Sequence, residues 1–165
     1  MKKLLLCFAC YASFSVNAGD LASKPFKIDE PQLIMCQSKF NLLGSGISNG
    51  QTLTVRIKSN ELKVTEASAG QDFIKIYSEP NIIKGPFGDY KITGHLYEKW
   101  LNDGSISSPI YREAYINVRP NSDGLIVSYS SIQKAKYNQT GEKWYTDYVS
   151  QNTYLNCEST LPEGE

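Results

Sequence analysis

Two cysteines near the ends of the folded part of the chain, Cys36 and Cys157, constrain its architecture more than any other feature. The other two cysteines, Cys7 and Cys10, lie in an N-terminal segment that we expect to be removed. In an oxidising compartment two remaining thiols form a disulfide by default, because no third thiol competes. The bridge would span 121 positions, and closing such a loop stabilises the fold by about 4 to 5 kcal/mol in chain-entropy terms. The segments around Cys36 and Cys157 must therefore lie side by side.

The N-terminal segment has the pattern of a secretory signal peptide. Two lysines follow the initiator methionine, and Leu4 to Val16 form a predominantly apolar run. That run is too short for a permanent transmembrane helix. The sequence thus predicts a signal peptide over residues 1–18, cleavage near Ala18, and a periplasmic or secreted mature protein. A second interpretation is a lipoprotein signal with an acylated Cys10, which would anchor the same domain to a membrane.

The composition of the mature chain excludes several classes of partner. Without the two leader lysines, 15 basic residues stand against 17 acidic ones, a formal net charge of −2. The lysines are spread singly along the chain, so no basic face for nucleic acid is indicated. The rest of the sequence contains no apolar run of about 18 residues, so it predicts no transmembrane segment. We expect no metal or cofactor site, because two bridged cysteines and a single histidine supply too few ligands.

The mature chain is of a size for one domain and divides into three parts. Residues 19–32 contain two prolines and no apolar period, which predicts an extended lead-in. Residues 33–158 show alternating stretches separated by turn residues, which predicts the folded domain. Residues 159–165 are predicted to be a disordered tail.

The segment 52–58 shows most clearly how the strands are identified. Leu53, Val55 and Ile57 share one side of it, and threonine, arginine and lysine side chains occupy the other. This alternation is typical of a strand with one buried face.

Two other segments carry residues that interrupt strands. Ile74 and Ile76 alternate with aromatic and polar residues before Pro80, which we expect to end that strand. Gly44 to Gly50 contains three glycines and is interpreted as a flexible loop. Its glycine spacing superficially resembles a phosphate-binding loop, but the lysine ending of that motif is absent.

About eight such strands, joined by hairpin-length turns and without a convincing helix, predict an antiparallel meander. Cys36 lies in the first predicted strand and Cys157 in the last, so their disulfide requires Cα atoms within about 6 Å. A meander whose end strands meet closes on itself and removes its exposed edges. We therefore predict an all-β fold, a single antiparallel meander closed into a small barrel. A β-sandwich is the alternative.

Two polar residues are candidate site residues. His95 is the only histidine in the chain and faces the polar side of its strand. An exposed strand histidine is the simpler interpretation, and a catalytic or metal-binding role is the alternative. Arg112 interrupts an apolar face. Its guanidinium either lies near the barrel rim beside an acidic neighbour, or points into a cavity and binds an anionic headgroup.

Aromatic residues are the second candidate feature, and the tentative binding set includes Tyr97, Trp100, Tyr111 and Tyr115 beside His95. Outward tyrosines that alternate with inward aliphatic residues form a face able to bury a large area against a partner. Such residues dominate the energies of interfaces. Ordinary cross-strand pairing within the sheet is the alternative explanation.

In outline the predicted barrel resembles the small periplasmic lysozyme inhibitors. Their S-G-x-x-Y loop is absent, because Ser45 and Gly46 are followed by Ile47, Ser48 and Asn49. The chain also lacks the early G-x-W signature of lipocalins. We assign it to neither family.

The sequence contains no spacing of nucleophile, histidine and acid that selects a catalytic site. We predict an exported non-catalytic protein-binding module of the bacterial periplasm or cell surface, of the inhibitor, immunity or adhesion type, which binds through its tyrosine-rich strands and the loops at 44–50 and 85–90. A lipocalin-like carrier of a small apolar or acidic ligand is the alternative, and a hydrolase is less favoured. A carrier requires an internal cavity of roughly several hundred Å³, whereas a binding module requires a filled interior and an exposed aromatic patch.

Overall fold

The structure is a computed structural model that describes residues 28, 30–41, 46–99, 109–135 and 145–162. The segment predicted as a signal peptide, most of the lead-in, Trp100 and residues 163–165 lie outside these ranges. Eight antiparallel strands form one meander: β1 (Gln32–Asn41), β2 (Gly46–Lys58), β3 (Glu61–Ser68), β4 (Gln71–Lys84), β5 (Tyr90–Lys99), β6 (Pro109–Asn121), β7 (Gly124–Ala135) and β8 (Tyr145–Ser159). The predicted all-β meander is confirmed. Within the described part of the chain no helix is long and apolar enough to cross a membrane.

The meander closes into a barrel because its first and last strands pair. The antiparallel register of β1 and β8 runs from Ile34 opposite Ser159 to Phe40 opposite Thr153. Cys36 and Cys157 face each other in this register, with Cα atoms 4.0 Å apart, and are joined by a disulfide. The closed barrel predicted from the two cysteines is confirmed. The disulfide is consistent with an oxidising compartment.

Side chains fill the barrel interior, as alternation requires in a barrel of this size. Leu53, Val55 and Ile57, the predicted inward face of β2, are fully buried. On β6 the buried residues Ala114 and Ile116 likewise occupy alternate positions. One face of each strand therefore lines the interior, and the other forms the outer wall.

The two ends of the barrel differ in character. At one end lie the turns at 59–60, 85–89 and 122–123 and the disulfide, and we call it the disulfide end. Its interior is mainly aliphatic. At the other end lies the turn at 69–70, and we call it the polar end. Its inward positions carry the polar and aromatic side chains Glu66, Lys75, Tyr77, Arg112, Tyr129, Ser131, Asn152 and Tyr154.

Two buried tyrosines bridge the interior between opposite walls. The Tyr77 hydroxyl on β4 lies 2.8 Å from the Tyr129 hydroxyl and 3.3 Å from the Ser131 Oγ, both on β7. Tyr77 fits because β5 has Gly94 beside it, where a Cβ atom would come within 2.8 Å of Leu62 and Tyr77 side-chain atoms. Protein side chains thus occupy the barrel axis, where a carrier would need a cavity.

The course of β4 differs from the prediction at Pro80. The strand continues to Lys84, because a bulge between Ser78 and Asn81 accommodates the extra residue. Glu79 has a positive φ of 53° within this bulge. Proline is tolerated at a bulge, where its missing N–H is not needed for the ladder. The prediction that Pro80 ends the strand is therefore wrong.

The glycine-rich segment also differs from its prediction. Residues 46–50 belong to β2, and Gly46, Ile47, Ser48 and Asn49 face residues of β1 in register. Only residues 42–45 remain between the two strands, and they lie outside the described ranges. The loop predicted over 44–50 is thus mostly strand, because pairing with a long β1 supplies the hydrogen bonds that local propensity does not indicate.

The residues after β8, which the sequence places in the tail, pack onto the disulfide end. The Thr160 N–H donates to the Leu33 carbonyl at 2.9 Å, and the Leu33 N–H donates to the Thr160 hydroxyl at 2.8 Å. Leu161 is buried in the core. The Tyr90 hydroxyl donates to the Pro162 carbonyl. The chain is held against the barrel as far as Pro162.

Candidate functional site

The predicted binding residues of β5 and β6 come together on the outer wall. The register places His95 opposite Glu113 and Tyr97 opposite Tyr111. Across β6, Tyr111 faces Lys134 of β7. We call the surface formed by His95, Tyr97, Tyr111, Glu113, Tyr115 and Lys134 the outer aromatic face. Trp100, predicted with these residues, lies outside the described ranges.

Hydrogen bonds fix the side chains of this face. The Tyr111 hydroxyl lies 2.5 Å from the His95 Nδ1, and the two rings are nearly parallel at an interplanar angle of 15°. Glu113 accepts from the Lys134 ammonium at 3.0 Å and from the Tyr115 hydroxyl at 3.1 Å. The Lys134 Nζ also lies 5.8 Å from the Tyr111 ring centroid. Both ionic and aromatic members are therefore held in one network, which reduces the conformational entropy lost on binding.

The electrostatics of the face favour the neutral phenols of Tyr111 and Tyr115 and the charged form of Lys134. Burial raises the pKa of Tyr111, and the negative charge of Glu113 adds to this rise. The pKa of Tyr115 is likewise raised by burial and by its hydrogen bond to Glu113. The hydrogen bond to Glu113 raises the pKa of Lys134. The charges of Glu113 and Lys134 thus neutralise each other in an ion pair, and the Tyr115 hydroxyl donates to the same carboxylate.

Parts of the outer aromatic face are open to solvent. Tyr97 is 55% exposed and Tyr115 is 43% exposed. On the adjacent strand β4 the outward residues Ile74 and Ile76 are 53% and 48% exposed. Tyr97 and Tyr115 are thus exposed on the outer wall of β5 and β6, and Ile74 and Ile76 are exposed on the outer wall of β4. Large apolar residues grouped on a surface in this way mark interaction sites.

The sheet is incompletely paired beside this surface. The register between β4 and β5 ends where Ser78 faces His95. From residue 71 to 77, β4 pairs with β3 alone among the described strands. Likewise, residues 96–99 of β5 pair with β6 alone among the strands that the structure describes. Unpaired strand edges are templates for pairing with another chain.

Arg112 does not belong to the outer face. It lies on the inward side of β6, in alternation with the buried residues Ala114 and Ile116. Burial raises the pKa of the nearby Tyr77, and the positive charge of Arg112 opposes this rise. The guanidinium therefore acts inside the polar end of the barrel, and a role for it in binding remains a prediction.

Two other charged groups share the interior of the polar end, and sequence analysis singled out neither. The Glu66 carboxylate accepts from the Tyr154 hydroxyl at 2.5 Å and from the Asn152 amide at 2.8 Å. The Lys75 Nζ lies 5.8 Å from the Tyr129 ring centroid. These contacts join strands that are distant in sequence, so only the barrel closure brings them together. The hydrogen bonds of Glu66 and the contact of Lys75 with the Tyr129 ring thus lie inside the polar end.

The polar side chains of the outer aromatic face are engaged with one another. His95 bonds to a tyrosine on a convex wall, and the carboxylate opposite it is engaged by Lys134 and Tyr115. No group of three histidine, cysteine, aspartate or glutamate side chains in the described ranges is placed to hold a metal ion.

Glu113 and Lys134 complete the outer aromatic face although the sequence analysis did not assign them to it. The alternation of β6 indicates that Glu113 points outward between two tyrosines. Lys134 joins it through the register of β6 with β7, which the two-residue turn at 122–123 fixes.

Comparisons of the chain with protein-family models, with curated proteins and with solved structures found no match.

Proposed function

We propose that this protein is a non-catalytic protein-binding module that binds a folded partner through the outer aromatic face, in the bacterial periplasm or at the cell surface. The observation that carries the proposal is the exposure of Tyr97 and Tyr115 beside a fixed Glu113 network, with Ile74 and Ile76 exposed on the neighbouring strand β4. Interfaces favour such aromatic residues with polar groups already satisfied. An inhibitor, an immunity protein and an adhesion factor all act in this way.

The composition of the face favours a protein over other partners. The Glu113 carboxylate is paired with Lys134, so the face has no excess of charge to attract a polyanion. Tyrosine hydroxyls supply hydrogen bonds while the rings supply apolar area, which suits a partner of mixed polarity. Residues 71–77 of β4 pair only with β3 among the described strands, so this edge offers main-chain groups to an extended segment of a partner.

The filled interior also favours this function over the carrier. Tyr77 and Tyr129 meet across the barrel axis, and Glu66 meets Tyr154 nearer the polar end. A ligand inside the barrel would have to displace these buried hydrogen bonds, which is costly. Binding at the outer wall requires no such change.

Site-specific photo-crosslinking in the native compartment tests the proposal. A photo-reactive phenylalanine replaces Tyr97 in one variant and Tyr115 in another, and we expect both to form an adduct with the same protein. The control places the same group at Arg56, an exposed position on β2. Adducts no stronger at Tyr97 and Tyr115 than at Arg56 would overturn the proposal.

Affinity measurements with the partner identified by crosslinking then test how much Tyr97 and Tyr115 contribute to binding. We expect Tyr97→Ala and Tyr115→Ala each to weaken binding by about tenfold or more, as central aromatic residues do. Arg56→Ala should leave the affinity unchanged. Equal affinities for all three variants would place the interface elsewhere and contradict the role of the outer aromatic face.

A further inference from the structure

A groove of about 850 Å³ opens at the disulfide end, away from the outer aromatic face. Loop residues 85–88 form one side of it, and the chain after β8 forms the other. Val118, Leu125 and the disulfide residue Cys157 contribute to its floor and walls. The volume lies within the range of roughly 300 to 1,000 Å³ that is typical of small-molecule sites.

The walls of this groove are held in place by the fold. In the loop, the Gly85 N–H donates to the Asp89 carbonyl at 2.7 Å. A side chain at position 85 would collide with the Asp89 carboxylate, which lies 2.0 Å from an ideal Cβ. On the other side, Leu161 is buried and Pro162 accepts a hydrogen bond from Tyr90. The groove is thus formed before any ligand arrives, which lowers the entropic cost of binding.

The lining residues indicate the chemistry of a ligand. Phe87 is 87% exposed at the mouth, and three prolines and the aliphatic residues Val118, Leu125 and Leu161 supply apolar parts of the remaining wall. Lys84 is the cation of the groove, and it has no acidic partner within 4.0 Å among the described residues. The carboxylate of the groove, Glu158, belongs to an exposed residue, whereas Lys84 is only partly exposed.

We propose that this groove binds a small, mainly apolar molecule that carries one anionic group, with the anion at the Lys84 ammonium and the apolar body against Phe87, Leu125 and Leu161. An ammonium with no acidic partner within 4.0 Å among the residues that the structure describes can form a charge-assisted hydrogen bond with an anionic group at that position. The aliphatic and proline walls offer apolar area to the remainder of the ligand. This site shares no residue with the outer aromatic face, so it goes beyond the proposed protein-binding function.

Two fluorescent probes of one skeleton test the proposal on the full-length mature protein. Anilinonaphthalene sulfonate carries an anionic group, and N-phenylnaphthylamine is its neutral counterpart. We expect saturable binding of both, with Lys84→Gln weakening the sulfonate by about tenfold, the size of one charge-assisted hydrogen bond. The neutral probe should bind Lys84→Gln as it binds the wild type. Lys91→Gln, an exposed lysine on the outer wall of β5, is the matched control and should change neither affinity.

A second pair of variants locates the probe-binding site on the protein. Phe87→Ala should weaken both probes by about tenfold, because it removes an apolar wall. Phe87 is almost fully exposed, so this variant is expected to fold normally. Tyr97→Ala should change neither probe. The proposal is overturned if neither probe binds saturably, or if Lys84→Gln leaves the affinity for the sulfonate unchanged. It is also overturned if Tyr97→Ala rather than Phe87→Ala weakens binding of the probes. Each of these results leaves the crosslinking test of the protein-binding function unaffected.

Discussion

Tyrosine serves two purposes in this protein, and the partner of its hydroxyl decides which. Inside the barrel, Tyr77 bonds to Tyr129, and Tyr154 bonds to Glu66, so no phenol is buried without a partner at these positions. On the outer wall, Tyr115 bonds to Glu113 while its ring stays half exposed. A residue with an apolar ring and a polar tip is suited to both places. Tyrosine content by itself therefore does not identify a binding surface.

The interior tyrosines predict how stability depends on pH. Burial raises the pKa of Tyr77, Tyr129 and Tyr154 above the ordinary value of 10.0. In the unfolded chain these phenols ionise near pH 10. Above that pH the folded state binds more protons than the unfolded state, so the free energy of unfolding falls as pH rises. Below it, the contribution of these groups is complete and constant.

Urea unfolding at a series of alkaline pH values measures this effect, with phenolate absorbance followed in parallel. We expect stability to fall steeply above about pH 10, and the interior phenols to ionise only as the protein unfolds. Tyr129→Phe should make the fall shallower, because it removes one of the linked protons. Ionisation of every phenol before the fold is lost would contradict the burial argument.

At the scale of the strand, alternation predicts faces but not always which face is inside. The inward face of β2 follows from the sequence because one side is aliphatic and the other polar. On β4, Ile74 and Ile76 lie outside while Tyr77 lies inside. Both faces of this strand contain large side chains, so the choice depends on Tyr129 and Gly94, which belong to other strands.

Part of the candidate site can be predicted from the sequence. His95, Tyr97 and Tyr111 share the outward side of their strands by alternation alone. The closed barrel follows from the positions of two cysteines. The ion pair of Glu113 with Lys134 depends on the register between β6 and β7, and the groove depends on how loops pack. The register follows from the two-residue turn at 122–123 once the exact turn residues are known. The packing of the loops around the groove does not follow from a local pattern.

Gly94 offers a test at the scale of neighbouring strands. A methyl group there would lie 2.8 Å from both Leu62 and Tyr77 side-chain atoms, which is too close for an undisturbed core. We expect Gly94→Ala to lower the free energy of unfolding by about 1 to 3 kcal/mol, measured by urea denaturation. Leu62→Val should relieve part of the clash, so that the double variant costs less than the sum of the single ones. Strict additivity of the two changes in the free energy of unfolding would show that the methyl group of Gly94→Ala does not clash with Leu62.

At the scale of the whole molecule, closure separates the two surfaces. The barrel is filled along its axis, so the groove at the disulfide end does not communicate with the polar end through an open channel at the level of Tyr77 and Tyr129. The outer aromatic face lies on the side wall. The proposed protein-binding surface and the proposed small-molecule groove therefore lie on separate parts of one scaffold, and both are already formed in this structure.

Closure also determines how the chain folds. Neighbouring hairpins form from local contacts, but β1 and β8 must meet across 121 positions. Bringing distant segments together costs chain entropy before the contacts compensate for it. The disulfide removes most of that cost, because the two strands are already joined in the unfolded chain. We therefore expect the bridge to act mainly on the folding rate.

Folding and unfolding rates measured with and without reductant test this expectation. Reduction should lower the free energy of unfolding by about 4 to 5 kcal/mol, and the loss should appear as slower folding with a nearly unchanged unfolding rate. The double variant Cys36→Ala and Cys157→Ala should fold slowly in both conditions and show no response to reductant. If faster unfolding accounts for the loss instead, then β1 and β8 pair only after the rate-limiting step, and the barrel closes last. Slow folding of the reduced chain would mean that pairing of the end strands is part of the barrier itself.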